Sequence, residues 1–319
     1  MRQAVLLLCA TIGAAVPAAA GELKVRSAGP SGEIASLDQA NEVRVVFAEP
    51  MVALGRIPDP VTAPFFAIAP AVKGSFRWAG TDTLIFKPAA PLPFATRFTV
   101  TIATSAVSVK GNALQEPYTF SFTTPTVKLL RTSWYRKTRL FDSPVVIALR
   151  FNQPVEPLEV SKHLSLRYEP HPWNPPSLPA ATRDRLSAID PPSAADFEAK
   201  VARAQAATQS TAVVPYFNAT TWDQKSFPPS NDLVVLETKE VPPTDGWIHI
   251  WLDGQVPSSA GGEAPREEQK YTVKLEATLF VDGPGCSAAC DPESYNPLRL
   301  RASVTPTQVR RSLSVWDVT

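Results

Sequence analysis

Val45-Val46-Phe47-Ala48-Glu49-Pro50-Met51 has a later counterpart in Leu149-Arg150-Phe151-Asn152-Gln153-Pro154-Val155, with Phe and Pro at matching places. Each stretch reads as an apolar strand that ends at a proline, the kind of stop expected at a sandwich edge because proline has no amide to give to a ladder. Other echoes follow in the same order. Asp82 before Leu84-Ile85-Phe86 is matched by Asp232 before Val234-Val235-Leu236, and Pro91 and Pro93 by Pro242 and Pro243. Tyr118-Thr119-Phe120-Ser121-Phe122 is paired with Tyr271-Thr272-Val273-Lys274-Leu275. A period of this size points to a duplicated unit.

Strand signals fill the first copy. Leu23 to Ser27, Val43 to Phe47, Ser75 to Trp78, Thr83 to Lys87, Arg97 to Ile102 and Tyr118 to Thr123 are short runs rich in β-branched and aromatic residues, separated by Pro, Gly, Asn and Asp. Phe98, Val100 and Ile102 share one face while Arg97, Thr99 and Thr101 share the other, so this strand is expected to be half-buried. That density of strands is what an Ig-like sandwich requires. The expected fold is all-β: two tandem Ig-like β-sandwich domains, the first over 22–125 and the second over 126–302 with a helical insertion at about 180–210. Residues 303–319 read as a linker or the start of a further domain.

The surplus of the second copy lies between Tyr168 and Asp232. Pro170, Pro172, Pro175, Pro176 and Pro179 lead into the one strong helical pattern. Ser193 is the expected N-cap and Asp196 its capping-box partner, with Phe197, Val201 and Ala204 on one face. A short helical turn over Thr182 to Ala188 precedes it. Two roles fit such a helix: a cover for one open end or edge of the sandwich, or a lid that binds a partner.

The 319 residues include 31 basic and 30 acidic side chains, a net charge of +1, so the basic surplus of a nucleic-acid binder is missing. A hydrophobic share of 44% opposes disorder, and 33 prolines oppose a helical bundle. Met1-Arg2-Gln3, the apolar run Ala4 to Pro17 and Ala18-Ala19-Ala20 fit a removable secretory signal over residues 1–20. The competing membrane helix is opposed by a run shorter than the roughly 20 residues a bilayer needs. Cys9 follows Leu8, which disfavours lipidation there. Export to the periplasm, cell surface or medium would place Cys286 and Cys290 in an oxidising compartment. A local disulfide between them is the favoured reading, with metal or redox chemistry as the alternatives.

Catalytic chemistry finds little to work with. There is no Gly-x-Ser-x-Gly elbow, phosphate loop, dinucleotide fingerprint or His-Glu-x-x-His. His163, His171 and His249 lie in ordinary strand or loop contexts, with no metal-ligand spacing. His249 alternates with Ile248 and Ile250, so it points off the core face beside Trp247 and Trp251. No catalytic residue, cofactor or metal is expected. Trp134-Tyr135, Trp173, Trp222, Trp247 and Trp251 allow a ligand platform, with Trp173 and Trp222 as the candidate binding surface. The alternative is that Trp173 and Trp222 pin inserted loops and that Trp247 and Trp251 pack in or beside the sandwich.

The motifs Val45 to Met51, Gly74-x-Phe76-x-Trp78, Asp82-x-Leu84-x-Phe86-x-Pro88, Pro91-Leu92 and Tyr118-x-Phe120-x-Phe122-x-Thr124 resemble the bacterial Ig-like domain of S-layer and other surface proteins. Leu149 to Val155, Trp222-Asp223, Phe227-Pro228-Pro229, Asp232 to Leu236 and Val241-Pro242-Pro243 resemble the amino-terminal region of large bacterial alpha-2-macroglobulin family proteins. The resemblance implies an exported module of a protease-trapping protein, whose partners are downstream macroglobulin domains of the same longer chain, and proteases or envelope components. The family's bait region and Cys-x-Glu-Gln thioester have no counterpart here: Ser287-Ala288-Ala289 follows Cys286, and Asp291-Pro292-Glu293 follows Cys290. Leu298 to Val304 and Leu313 to Val318 read as strands leading into a further domain. A free-standing surface binding or adhesion module is the second reading.

Overall fold

The computed structural model describes residues 21–56, 59–176, 180–284, 293–294 and 297–312. The expected signal segment 1–20, the Cys286–Cys290 pair, Pro179 and the strand expected over 313–318 lie outside them. The chain divides into two compact units, one of Met1–Pro93 with Arg97–Pro125, the other of Phe94–Thr96 with Thr126–Thr319.

In the first unit the strands are β1 (Val25–Gly29), β2 (Gly32–Glu33), β3 (Val43–Phe47), β4 (Phe66–Ala69), β5 (Gly74–Ala79), β6 (Thr83–Pro88), β7 (Arg97–Ile102) and β8 (Tyr118–Thr123). They form two sheets, ordered β1-β3-β6-β5 and β2-β8-β7-β4. Alternation dictates the packing. Val43, Val45, Phe47, Leu84 and Phe86 from one sheet meet Phe66, Phe98, Val100, Ile102 and Phe122 from the other in a single core. Each such side chain contributes about 1.5–3 kcal/mol on burial. Arg97, Thr99 and Thr101 stay on the outer face, as the alternation requires. Gly74 opens β5 because a Cβ there would stand 2.5 Å from the Lys87 carbonyl oxygen and from the Phe86 ring.

The second unit repeats this arrangement with β9 (Leu129–Arg136), β10 (Val145–Phe151), helix α1 (Pro157–Lys162), β11 (Leu164–Tyr168), helices α2 (Ala180–Ile189) and α3 (Pro191–Thr208), β12 (Tyr216–Asn218), β13 (Leu233–Thr238), β14 (Trp247–Leu252) and β15 (Gln269–Lys274). The sheets are β12-β13-β10-β9 and β11-β14-β15. A two-stranded ribbon of β16 (Val281–Pro284) and β17 (Leu298–Leu300) and helix α4 (Pro306–Ser312) follow. The fold is therefore all-β, built from sandwiches of mainly antiparallel strands, with the short β2 running parallel to β8, and few helices.

The duplication extends to individual hydrogen bonds. Phe47 N–H donates to the Asp82 carbonyl and Phe151 N–H to that of Asp232, each at 2.9 Å. Ala48 donates to Lys24 at 2.8 Å as Asn152 does to Lys128 at 3.0 Å, and Met51 to Thr81 at 2.6 Å as Val155 does to Asn231 at 2.8 Å. Ala103 donates to Phe65 at 2.8 Å as Asp253 does to His163 at 3.0 Å. A side-chain bond recurs too: the Ser108 hydroxyl donates to Glu49 at 2.8 Å, and that of Ser258 to Gln153 at 2.7 Å. The Phe-x-x-Pro signal thus marks a turn held by the same bonds twice.

Several expectations need correction. The opening strand runs Val25–Gly29 rather than Leu23 to Ser27, and β4 carried no recognised signal. Tyr271 is the counterpart of Phe120, not of Tyr118, because Phe120 pairs with Val100 and Tyr271 with Ile250, whereas Tyr118 pairs with Ile102. Ser193 is not the cap of α3. Asp190 is, its carboxylate accepting from Ser193 N–H at 3.1 Å and from the Ser193 hydroxyl at 2.6 Å. Pro191 and Pro192 occupy the first helical positions, where a missing amide costs nothing. Helix α2 contains the turn expected over Thr182 to Ala188 and extends it to Ala180–Ile189, α1 and α4 are helices the sequence reading did not include, and the strand expected over Leu298 to Val304 ends at Leu300.

Candidate binding face

On β14 the alternation Trp-Ile-His-Ile-Trp sorts side chains cleanly. Ile248, Ile250 and Leu252 are fully buried, which turns Trp247, His249 and Trp251 to the outer face of β11-β14-β15. Strand register then sets their neighbours. Ser165, Trp251 and Lys270 form one row across the three strands, and Arg167, His249 and Thr272 the next. A third row joins Glu169, whose N–H donates to the Trp247 carbonyl at 2.9 Å, to Trp247 and Lys274.

These rows differ in how completely they are occupied. Trp247 is covered on both sides: His171 stacks on it with ring centroids 4.0 Å apart and planes 9° from parallel, and the Lys274 ammonium lies 4.0 Å from its centroid. His171 is itself buried, with Nε2 2.7 Å from the Asp245 carbonyl and Nδ1 3.0 Å from that of Pro172. The next row is tied by Glu169, whose carboxylate accepts from the Thr272 hydroxyl at 2.7 Å and lies 3.5 Å from His249 Nδ1. Trp251 is more open, 37% exposed, with Lys270 Nζ 4.4 Å from its centroid and Glu268 3.4 Å from that ammonium. Arg167 is exposed and forms no side-chain ion pair with any described residue. Behind this face, burial pushes the Tyr168 phenol up to about 12; Arg136 opposes the shift and Glu240 adds to it.

Trp173 and Trp222 lie elsewhere in the unit, in different aromatic surroundings. Trp222 is half-buried and donates its indole N–H to the Phe227 carbonyl at 2.8 Å. With Phe227 and Tyr135 it covers Val146, Ala148, Leu233 and Val235 on the outer side of β10 and β13. Those strands are consequently buried on both faces, which explains the continuous apolar runs Val145 to Leu149 and Leu233 to Leu236 within them. Trp173 is half-buried with its ring 6.5 Å from Phe280, which also meets Phe197 of α3 at 5.7 Å. The outward direction of Trp247, His249 and Trp251 was legible in one strand. Their lysine and arginine neighbours were not, because they arrive only through the register of β11 and β15.

Among the described residues no cluster of three or more His, Cys, Asp or Glu side chains is arranged to hold a metal. None of their helices is long and apolar enough to cross a membrane.

No curated protein matches this sequence. Among solved structures, native alpha-2-macroglobulin from Escherichia coli, spanning domains MG0-NIE-MG1, is similar over 84% of this chain and 75% of its own, at 11% identity and a TM-score of 0.25. Surface layer protein SbsC, domains 1–6, is similar over 89% of this chain and 46% of its own, at 11% identity and a TM-score of 0.23. Residues 20–124, which contain every strand of the first sandwich, match the family model of the bacterial Ig-like domain.

Proposed function

We propose that this chain is a non-catalytic structural module of an exported bacterial protein of the alpha-2-macroglobulin type, in which two Ig-like sandwiches act as rigid early domains. One observation carries the reading. The same turn and the same hydrogen bonds hold both sandwiches, so the sequence is invested in two copies of one rigid frame rather than in a convergent reactive site. The Ig-like match over 20–124 and the macroglobulin-like motifs of the second half support it.

On this reading residues 1–20 direct export to the periplasm or surface, 22–125 and 126–302 are the two domains, and 303–319 lead onward. Further macroglobulin domains of the same chain are the partners. Cys286 and Cys290 close a local disulfide loop. The protease-trapping chemistry resides in those further domains, since this chain has neither bait region nor thioester motif. Titrating a broad-specificity protease with the purified protein tests the proposal. Full protease activity at molar excess of the protein is expected, and stoichiometric inhibition would overturn it.

A further inference from the structure

We propose that the outer face of β11-β14-β15 binds an acidic saccharide, its sugar ring lying against Trp251 and its carboxylate held between Arg167 and Lys270. This goes beyond the structural role, and it stands on the strand register rather than on that reading.

Three observations combine. First, Trp251 is an open indole on a sheet face whose other tryptophan is already covered on both sides by the protein's own groups. An exposed indole offers a flat apolar surface to the C–H face of a sugar, and burying it there removes apolar area from water. Second, Lys270 stands directly across the ladder from Trp251, which keeps its ammonium within reach of the ring, 4.4 Å from the centroid. Third, Arg167 sits on the opposite flanking strand, diagonal to Trp251, a placement about 7–8 Å away in Cα terms. A guanidinium with no carboxylate partner among the described residues is a fork-shaped donor suited to bidentate contact with a ligand carboxylate.

The charge pattern selects an acidic ligand over a neutral one. Arg167, Lys270 and Lys274 face the surface from two strands. Glu169 is engaged by Thr272, and Glu268 lies at the rim beside Lys270. Ser165, directly opposite Trp251 on β11, supplies a hydroxyl for a sugar oxygen. A ligand carboxylate arriving at Lys270 would draw that ammonium off the indole and free the ring for stacking. One movement thereby serves both contacts.

Isothermal titration of the whole chain with polygalacturonate, dextran and polyglutamate tests the proposal. Polygalacturonate has both sugar rings and carboxylates, dextran only rings, and polyglutamate only carboxylates. Binding of polygalacturonate alone is expected, weakened at least tenfold by Trp251→Ala and by Arg167→Gln, with the melting temperature of Arg167→Gln unchanged. Equal binding of polyglutamate would reduce the face to a general polyanion patch and overturn the proposal. Equal binding of dextran would overturn the carboxylate contact, and polygalacturonate binding that survives both variants would place the ligand elsewhere.

Discussion

At the scale of single residues, the second sandwich carries an ion pair whose loss should be felt strongly. The Arg136 side chain is 5% exposed, and its Nε donates to Glu276 at 2.8 Å while Nη1 donates to the Ser143 carbonyl at 2.9 Å. Removing the carboxylate strands a guanidinium away from water, which costs far more than the pair itself contributes. Glu276→Ala should therefore destabilise the protein by about 3 kcal/mol, the lower end for such pairs because Glu276 retains some solvent contact. Denaturant melts would show it as a lower midpoint at unchanged slope. Tyr168 offers an alkaline counterpart. Its phenol is raised from 10.0 to about 12 in the folded state, chiefly by burial. The folded protein thus keeps a proton that the unfolded chain has lost, so this contribution is complete below pH 10 and disappears as pH rises through about 12. Tyr168→Phe should flatten part of the fall in melting temperature over that interval. A residual slope should persist from Tyr216 and Tyr271, whose phenols burial also raises.

At the scale of elements, helix α3 separates two accounts of how a helix begins. Ser193 and Asp196 formed the visible capping pattern, yet Asp190 accepts both the backbone N–H and the hydroxyl of Ser193. Those bonds, the hydroxyl's first, hold the Asp190 carboxyl below its usual range. Asp190→Ala should lower helical content by circular dichroism more than Ser193→Ala does, because the latter leaves the backbone bond in place. The opposite order would restore Ser193 as the cap. The stripe Phe197, Val201 and Ala204 continues into buried Ala207 and Thr208, and Phe197 meets Phe280 edge-on at 5.7 Å. Phe197→Asp would bury a charge against that ring and should lower the melting temperature, while an unchanged value would favour a helix free to act as a lid. Elements differed in legibility for physical reasons. Strand β7 alternates and was readable alone, but β4, Phe66-Ala67-Ile68-Ala69, is short, half alanine and flanked by Pro64 and Pro70, so its strand character comes from pairing with β7. The binding face was half-readable in the same sense, since Trp251 declares its direction by alternation while Arg167 and Lys270 join it only through register.

At the scale of the whole molecule, the two cores have no residue in common. Phe47, Phe98 and Phe122 anchor one, and Phe151, Leu236 and Ile248 the other. A domain of about a hundred residues can bury enough apolar surface to be stable by itself when its sheets close around one core. The first unit meets that condition. Its inward aromatic residues pair within it, Phe98 stacking on Phe122 at 5.3 Å and Phe66 on Phe86 at 5.3 Å. Its characteristic turn is likewise closed by its own groups, with Glu49 accepting from Ser108 and Asn112. A polypeptide of residues 21–125 should therefore fold alone. Calorimetry should record one cooperative transition with an enthalpy of about 60–80 kcal/mol, as expected for a domain of that length. Glu276→Ala, placed in the full chain, should leave a transition at that same temperature and shift only the other. A fragment lacking a cooperative transition, or a full chain in which Glu276→Ala moves every transition together, would mean that the repeated frame folds as one unit despite its two separate cores.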